Sequence, residues 1–345
     1  MKKVLIGIIT VMALALMTGC NGNTETKAPE TTETETPKTG EKTIIKIGHV
    51  EPEDRSTHRA LAEFKKAVEE RTNNQIVVEL YPNGALGGDV QLTESVAMGT
   101  LDAALPTTSV LTAYSDDFGV LDMPYLFTSS EAAFNALDGD VGEYLNEKLT
   151  EQGITSLGYS YNGPRSTTTN TVAIEKPEDL KGLKMRVMES PIFIDFYNTL
   201  GANATPMGYT ELYTGLQQGT VEAQENPPSL IYANKFYEVQ KYLSVDEHVH
   251  NFLAFIFNTA KFEKFTAEQQ EILKEESKNY VKLQREMELK DNQEAIDKLA
   301  TEGGLKVNVL TEEQKKVFFN QLKPMYDKYE SKFGKELFDL CEKYN

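Results

Sequence analysis

The sequence predicts an α/β fold of two domains, and three observations lead there. The chain has 345 residues, 40% of them hydrophobic, which suffices for packed cores and, at about 100–200 residues per domain, for two of them. From Ile44 onward β-rich and helical patterns alternate, which predicts parallel sheets covered on both faces. Ala267 to about Thr301 is helical in pattern without a Pro or Gly. At 1.5 Å per residue such a helix spans about 50 Å, more than the width of one ordinary domain.

Each element follows in order. Ile44 to Val50 (IIKIGHV) reads as the first strand. Ser56 or Thr57 is placed to cap a helix whose Leu61, Phe64 and Val68 fall at i, i+3 and i+7. Ile76 to Tyr81 is a second strand, closed by the turn Pro82-Asn83-Gly84, and a helix over 90–99 and a short strand over 101–105 come next. Ile154–Tyr161, Lys184–Met188 and Phe252–Asn258 read as further strands, the last one buried. In the long helix, Ile272, Leu273, Tyr280, Leu283, Met287 and Leu289 do not keep a heptad, so a strut across two lobes is favoured over a coiled coil. A strand at Lys306–Leu310 and a helix at Glu312–Lys328 complete the body, and no repeat of 20–50 residues is present.

The N-terminus predicts an address. Lys2 and Lys3 precede an apolar run from Val4 to Met17. That run is shorter than the roughly 18–20 residues of a membrane span and has the length of a secretory h-region. It ends Leu16-Met17-Thr18-Gly19-Cys20, which resembles the lipobox of bacterial lipoproteins, where the cysteine is acylated and becomes the mature N-terminus. Residues 1–19 are thus expected to be a lipoprotein signal peptide with Cys20 lipidated; ordinary secretion with an incidental Cys20 is the alternative. Residues 20–42 are rich in Thr, Glu, Lys and Pro and are expected to be a disordered linker between the lipid anchor and a body starting near Thr43. The expected location is extracytoplasmic, held to a bacterial membrane. With Cys20 acylated, Cys341 has no partner and no disulfide is expected.

Charge and missing motifs narrow the function. Thirty-five basic against 53 acidic residues give a net charge of −18, which argues against nucleic acid as a partner. Two cysteines exclude a disulfide scaffold and the usual Cys-based zinc sites. There is no GxSxG elbow, Walker A loop, HExxH or GxGxxG. His248 and His250 share a strand face, but no third ligand pattern accompanies them, so no metal or cofactor is predicted. His49 and His58 have no Ser, Cys or paired carboxylate beside them by spacing, so the chain is not read as an enzyme and no catalytic residue is assigned.

Seven segments occur in an order that resembles one family: YPNGALGGD (81–89), FGVLDMPYLF (118–127), YNGPRSTTTN (161–170), GLKMRVMESP (182–191), GANATPM (201–207), ELYTGLQQGTVEAQENPP (211–228) and KFYEVQKYL (235–243). They look like the solute-binding proteins of tripartite ATP-independent periplasmic (TRAP) transporters, the DctP-like family, from about Ile44 to the C-terminus. Met188 stands where Pro is frequent, and Val221-Glu222-Ala223-Gln224 where VDGQ is common. The resemblance implies a two-lobed periplasmic-binding-protein-like (type II) α/β fold with hinge strands and a long helix spanning both lobes. Lobe I would comprise 43–163 plus 252–291, and lobe II 164–251 plus 292–345. It also implies capture of an organic acid anion in the interlobe cleft and delivery to the small and large membrane subunits of the transporter. A ligand-sensing protein for a receptor is the alternative.

By the same resemblance, Arg186 makes the main salt bridge to the ligand carboxylate. Its neighbours agree: Leu183, Met185 and Val187 alternate into a core, which turns Arg186 the other way on a rigid strand, and its planar fork pairs two-to-two with a carboxylate. Arg165 in NGPRS matches a second family arginine near the hinge. Asn226 in QENPP matches an amide that contacts ligand, aimed by Pro227-Pro228. Glu189, Asp89, Thr107 and Tyr209 match pocket positions, and His49 and Glu51 are expected at the cleft mouth. Three carboxylates among these would repel a second negative charge and accept hydroxyl protons, which favours a sugar acid such as a uronate or aldonate over a C4-dicarboxylate.

Overall fold

The computed structural model describes residues 42–345; the expected signal peptide, Cys20 and nearly all of the expected linker lie outside the described residues. Strand β1 (Thr43–Gly48) pairs in parallel with β2 (Ile76–Tyr81) and with β3 (Ala103–Ala104). Helix α1 (Ser56–Arg71) links the first two strands, and its Leu61, Phe64 and Val68 are buried, as their spacing predicts. The predicted cap is corrected: Arg55 is the N-cap, Ser56 is the first helical residue, and its hydroxyl is drawn instead to Glu288, far along the chain. Helix α2 (Asp89–Ala97) leads to β3.

Helices α3 (Ser130–Asp138) and α4 (Asp140–Thr150) feed β4 (Ile154–Thr169). Then follow β5 (Lys184–Val187), α5 (Pro191–Thr199), β6 (Asn203–Pro206), α6 (Leu212–Gln217), β7 (Ala223–Asn226) and α7 (Pro228–Ala233). Strand β8 (Tyr242–Asn258), α8 (Thr259–Phe262), α9 (Ala267–Thr301), β9 (Lys306–Val309), α10 (Glu312–Phe333) and α11 (Lys335–Glu342) close the chain. The long helix has the predicted bounds, whereas α10 runs beyond the predicted Lys328 and past an internal Pro324.

Among the described residues nine strands form one sheet in the order β2-β1-β3-β8-β4-β7-β5-β6, with β9 beside β8. The sheet is mixed, which corrects the expected parallel sheets: β3/β8, β4/β8 and β4/β7 are antiparallel. The reason is that β4 and β8, 16 and 17 residues long, are twice the length their apolar runs suggest and cross from one half of the sheet to the other. One end of the pair, near Ile154 and Asn258, adjoins β3; the other, near Thr169 and Tyr242, adjoins β7 and β9. Register shifts between Ser156 and Tyr159, Tyr161 and Gly163, and Arg165 and Thr167 bend the crossing strands, as bulges do, and Pro164 is tolerated there.

Packing follows the same division only in part: one large cluster runs from Leu92 and Val96 through Tyr161 and Phe252 to Met185, Val187 and Phe193 and is shared by both halves, while two smaller ones are local. One apolar cluster joins β1, α1 and β2 to Leu253, Phe255, Phe257, Leu273 and Tyr280; another joins Leu212, Leu216, Leu230, Ile231, Leu243 and Leu299. Helix α9 contributes to both, Leu273, Tyr280 and Val281 to the first and Leu299 to the second, and is therefore the strut the sequence predicts. Its middle is different. There the buried side chains are polar: Gln284, Glu288 and Asn292, four residues apart, and Arg285 beside them, while Leu289 is 43% exposed.

Candidate functional site

Where the crossing strands meet the two halves, a cavity of about 30 Å³ lies between β1, α2, β4, β5 and β7. Glu51, Asp89, Thr107, Arg165, Arg186, Tyr209 and Asn226 line it, together with Asn162 and an apolar wall of Val50, Met188, Leu230 and Leu253. Seven of the nine side chains expected to hold a ligand are thus brought together. A larger groove of about 910 Å³ between α9 and the α3–α4 pair contains none of them. We take the small cavity as the candidate site because unpaired polar atoms converge on it.

Arg186 sits on β5 with Met185 and Val187 buried in the core behind it, and is itself 2% exposed. Its Nε and Nη2 donate to the Met207 carbonyl at 3.0 and 2.8 Å, while Nη1 has no partner. Burial pulls the guanidinium down to about 10, with Glu225 opposing and Arg165 adding to the shift. Among the described residues no carboxylate lies within ion-pair reach of it. A buried cation without a counter-ion is costly, so this arrangement suits an anion brought from outside.

Two further orphans face the same space. The Tyr209 hydroxyl and Asp89 Oδ1 are shut off from solvent with no hydrogen-bond partner. Asp89, the first residue of α2, has its carboxyl pushed up to about 7, by burial first; the Thr107 amide opposes that shift and Glu51 adds to it. Thr107 Oγ1 meets Asn251 Oδ1 at 3.3 Å, and Asn251 also receives Asn162 Nδ2 at 2.9 Å.

Arg165 has a different environment. Its Nε donates to Glu225, its Nη2 donates to Glu225 Oε1 at 2.8 Å and to the Glu225 carbonyl at 2.6 Å, and its guanidinium lies 5.6 Å from the Phe193 ring centre. The same Nη2 donates to Asn226 Oδ1 at 3.0 Å, so Arg165 orients the Asn226 amide. Glu225 also meets His248 Nε2 at 3.2 Å, and His248 Nδ1 lies 3.1 Å from Asp246. Burial pulls the His248 imidazole down, but Asp246 and Glu225 outweigh it and hold it at about 9. Burial acts against the Glu225 carboxylate too, yet Arg165 and His248 keep it below the ordinary range. This is a buried chain of alternating charge.

Two expected residues stand apart. Glu189 is exposed and outside the cavity wall. His49 is buried behind the wall, its Nε2 3.1 Å from His58 Nδ1, and burial lowers it to about 4 against the pull of Glu51. His250, expected on one face with His248, pairs with the Tyr161 hydroxyl at 2.6 Å, while His248 belongs to the Glu225 network.

Sequence reasoning misses Arg55. Its guanidinium is buried against Glu51 at 3.3 Å, Glu288 at 3.0 Å and the Asn162 side chain at 3.1 Å. The i, i+4 spacing of Glu51 and Arg55 is the one local signal that points to it.

Comparison with known proteins decides the family. The family described as "Bacterial extracellular solute-binding protein, family 7" (DctP) matches residues 47–332. The chain belongs to the family 7 bacterial extracellular solute-binding proteins. It is 33% identical over 288 residues to the 2,3-diketo-L-gulonate-binding periplasmic protein YiaO of Escherichia coli, covering 82% of this chain and 87% of that one. It is 30% identical over 297 residues to the C4-dicarboxylate-binding protein DctB of Bacillus subtilis, covering 86% and 85%. In three dimensions it matches the sugar acid binding protein DctPAm of Advenella mimigardefordensis in complex with galactonate, with a TM-score of 0.85 at 32% identity over 88% of this chain and 99% of that one. The two-lobed α/β architecture of a TRAP solute-binding protein is therefore established for this family 7 member, as the sequence resemblance implies. Among the described residues no helix is long and apolar enough to cross a membrane.

Proposed function

We propose that this TRAP solute-binding protein captures a hydroxylated monocarboxylate, a sugar acid of the aldonate or uronate class, and presents it to the membrane subunits of its transporter. The observation that carries the reading is the buried Arg186 with its free Nη1, facing the unpaired Tyr209 hydroxyl and Asp89 carboxyl. The ligand carboxylate docks on Arg186. Hydroxyls along the ligand are read by Tyr209, Asp89, Glu51, Thr107 and Asn226. Glu189 and His49 act from the rim and from behind the wall. Lobe I comprises 43–163 plus 252–291 and lobe II 164–251 plus 292–345, and they close over the ligand about β4 and β8. The mature chain is held outside the cytoplasm by lipid on Cys20.

The charge inventory favours one carboxylate. A C4-dicarboxylate, the ligand named for DctB, needs a second cation, and the other cavity guanidinium, Arg165, is already neutralised by Glu225. YiaO and DctPAm are both named for sugar acids. Calorimetry against hexonates, hexuronates, succinate and malate tests this. A hydroxylated monoacid is expected to bind, and Arg186→Ala to weaken it by about 2–5 kcal/mol. Preference for a C4-dicarboxylate, or affinity indifferent to Arg186→Ala, overturns the reading.

A further inference from the structure

The polar middle of α9 is more than a gap between two apolar clusters. Gln284 Nε2 donates to the Tyr161 carbonyl at 2.7 Å and to Ser56 Oγ at 3.0 Å, and Gln284 Oε1 accepts from the Tyr161 amide at 2.8 Å. One turn on, Glu288 Oε2 accepts from Ser56 Oγ and Glu288 Oε1 from Ser229 Oγ, each at 2.5 Å. One turn further, Asn292 Oδ1 accepts from the Ser229 amide at 3.3 Å. Arg55 Nη1 completes a ring, donating to Ser229 Oγ at 2.5 Å and to Glu288 Oε1 at 3.0 Å. All of these side chains are buried.

The ring joins the two halves of the molecule. Arg55 and Ser56 begin α1, which packs in the first apolar cluster, while Ser229 lies in α7, whose Leu230 and Ile231 pack in the second. Each side is also tied to the cavity by a short, stiff path. Arg55 pairs directly with Glu51 of the cavity wall. Ser229 follows Asn226 through Pro227 and Pro228, whose fixed φ leaves little slack. A joint made of hydrogen bonds can open to water with a net loss of about 0.5–1.5 kcal/mol per bond, whereas parting an apolar joint strips buried area at about 25 cal/mol per Å².

We propose that Arg55, Glu288 and Ser229 form an interlobe latch, positioning residues whose bonds hold the cleft shut with or without ligand and thereby set how long the ligand is held. The proposal rests on the binding-protein reading above, but the latch itself is independent of which acid binds. Ser229 Oγ is its moving member, whereas the Ser56–Glu288 bond lies within the first half and persists when the cleft opens.

The test compares Ser229→Ala, Ser229→Thr and Ser56→Ala in the full chain. X-ray scattering and hydrogen exchange read the ligand-free protein, and stopped-flow release reads D-galactonate. Ser229→Ala is expected to enlarge the radius of gyration, speed amide exchange in α7 and accelerate release about tenfold. Ser229→Thr keeps the hydroxyl and is expected to restore the wild-type behaviour. Ser56→Ala is expected to lower the melting temperature while leaving scattering and release unchanged. Wild-type scattering and exchange in Ser229→Ala, or matching effects of Ser229→Ala and Ser56→Ala, overturn the latch. If the wild type does not bind D-galactonate, scattering and exchange still decide the latch, and only the choice of ligand falls.

Discussion

Two guanidiniums face the same cavity, and their surroundings give them different tasks. Arg186 keeps an unpaired Nη1, whereas Arg165 is neutralised by Glu225 and serves to aim Asn226. Glu225→Gln should therefore cost about 3–5 kcal/mol in urea unfolding, because it leaves Arg165 and His248 buried without their shared anion. The pH dependence has a definite sign. His248 is raised from 6.5 to about 9, so its contribution to stability is complete below about pH 6.5 and is lost as pH climbs through about 9. His248→Gln should flatten the unfolding midpoint across that window. Asp89, raised from 3.8 to about 7, is partly neutral near neutrality and fully charged above it. Affinity for an organic anion should therefore rise as pH falls from about 8 to 6, with proton uptake seen in buffers of different ionisation enthalpy. Asp89→Asn should abolish that slope; a slope retained in the variant would assign the proton elsewhere.

At the scale of elements, the apolar elements are the legible ones. β2 and α9 have the predicted bounds because their patterns are long and uninterrupted. The crossing strands are read at half their length because the remaining parts, NGPRSTTT at the end of β4 and YLSVDEHVHN at the start of β8, carry the polar groups of the site and its charge network in place of a continuous apolar run. Arg186 is legible because two core residues flank it on a short strand. Arg55 and Glu288 are not: 233 positions separate them, and a carboxylate on the buried face of a helix breaks the very pattern that identifies a buried face. Gly163 shows how closely the crossing is fitted. It holds φ at 123°, and an added Cβ would meet the Pro227 Cβ at 2.7 Å. Gly163→Ala should lose about 1–3 kcal/mol in denaturant melts and weaken ligand binding by displacing Asn226.

At the scale of the molecule, the wall residues are buried apart from the half-buried Asp89 and Tyr209, and the free space is about 30 Å³, so on the proposed reading a ligand enters when the halves part. Binding to the shut form should then stabilise the whole chain. At 100 times its dissociation constant, a sugar acid should add about 2.7 kcal/mol, seen as a higher melting temperature in scanning calorimetry. No shift with any hexonate or hexuronate would argue against the proposed ligand class. The sheet that joins the halves also constrains how the polypeptide is made. β3 pairs with β1 on one side and finds its second neighbour only in β8, and the cluster around β1 is finished only by residues as late as Tyr280 and Val281. Translation must therefore pass Val281 before the core around β1 is complete, and a cut anywhere between β3 and β8 separates strands that pair in the folded sheet.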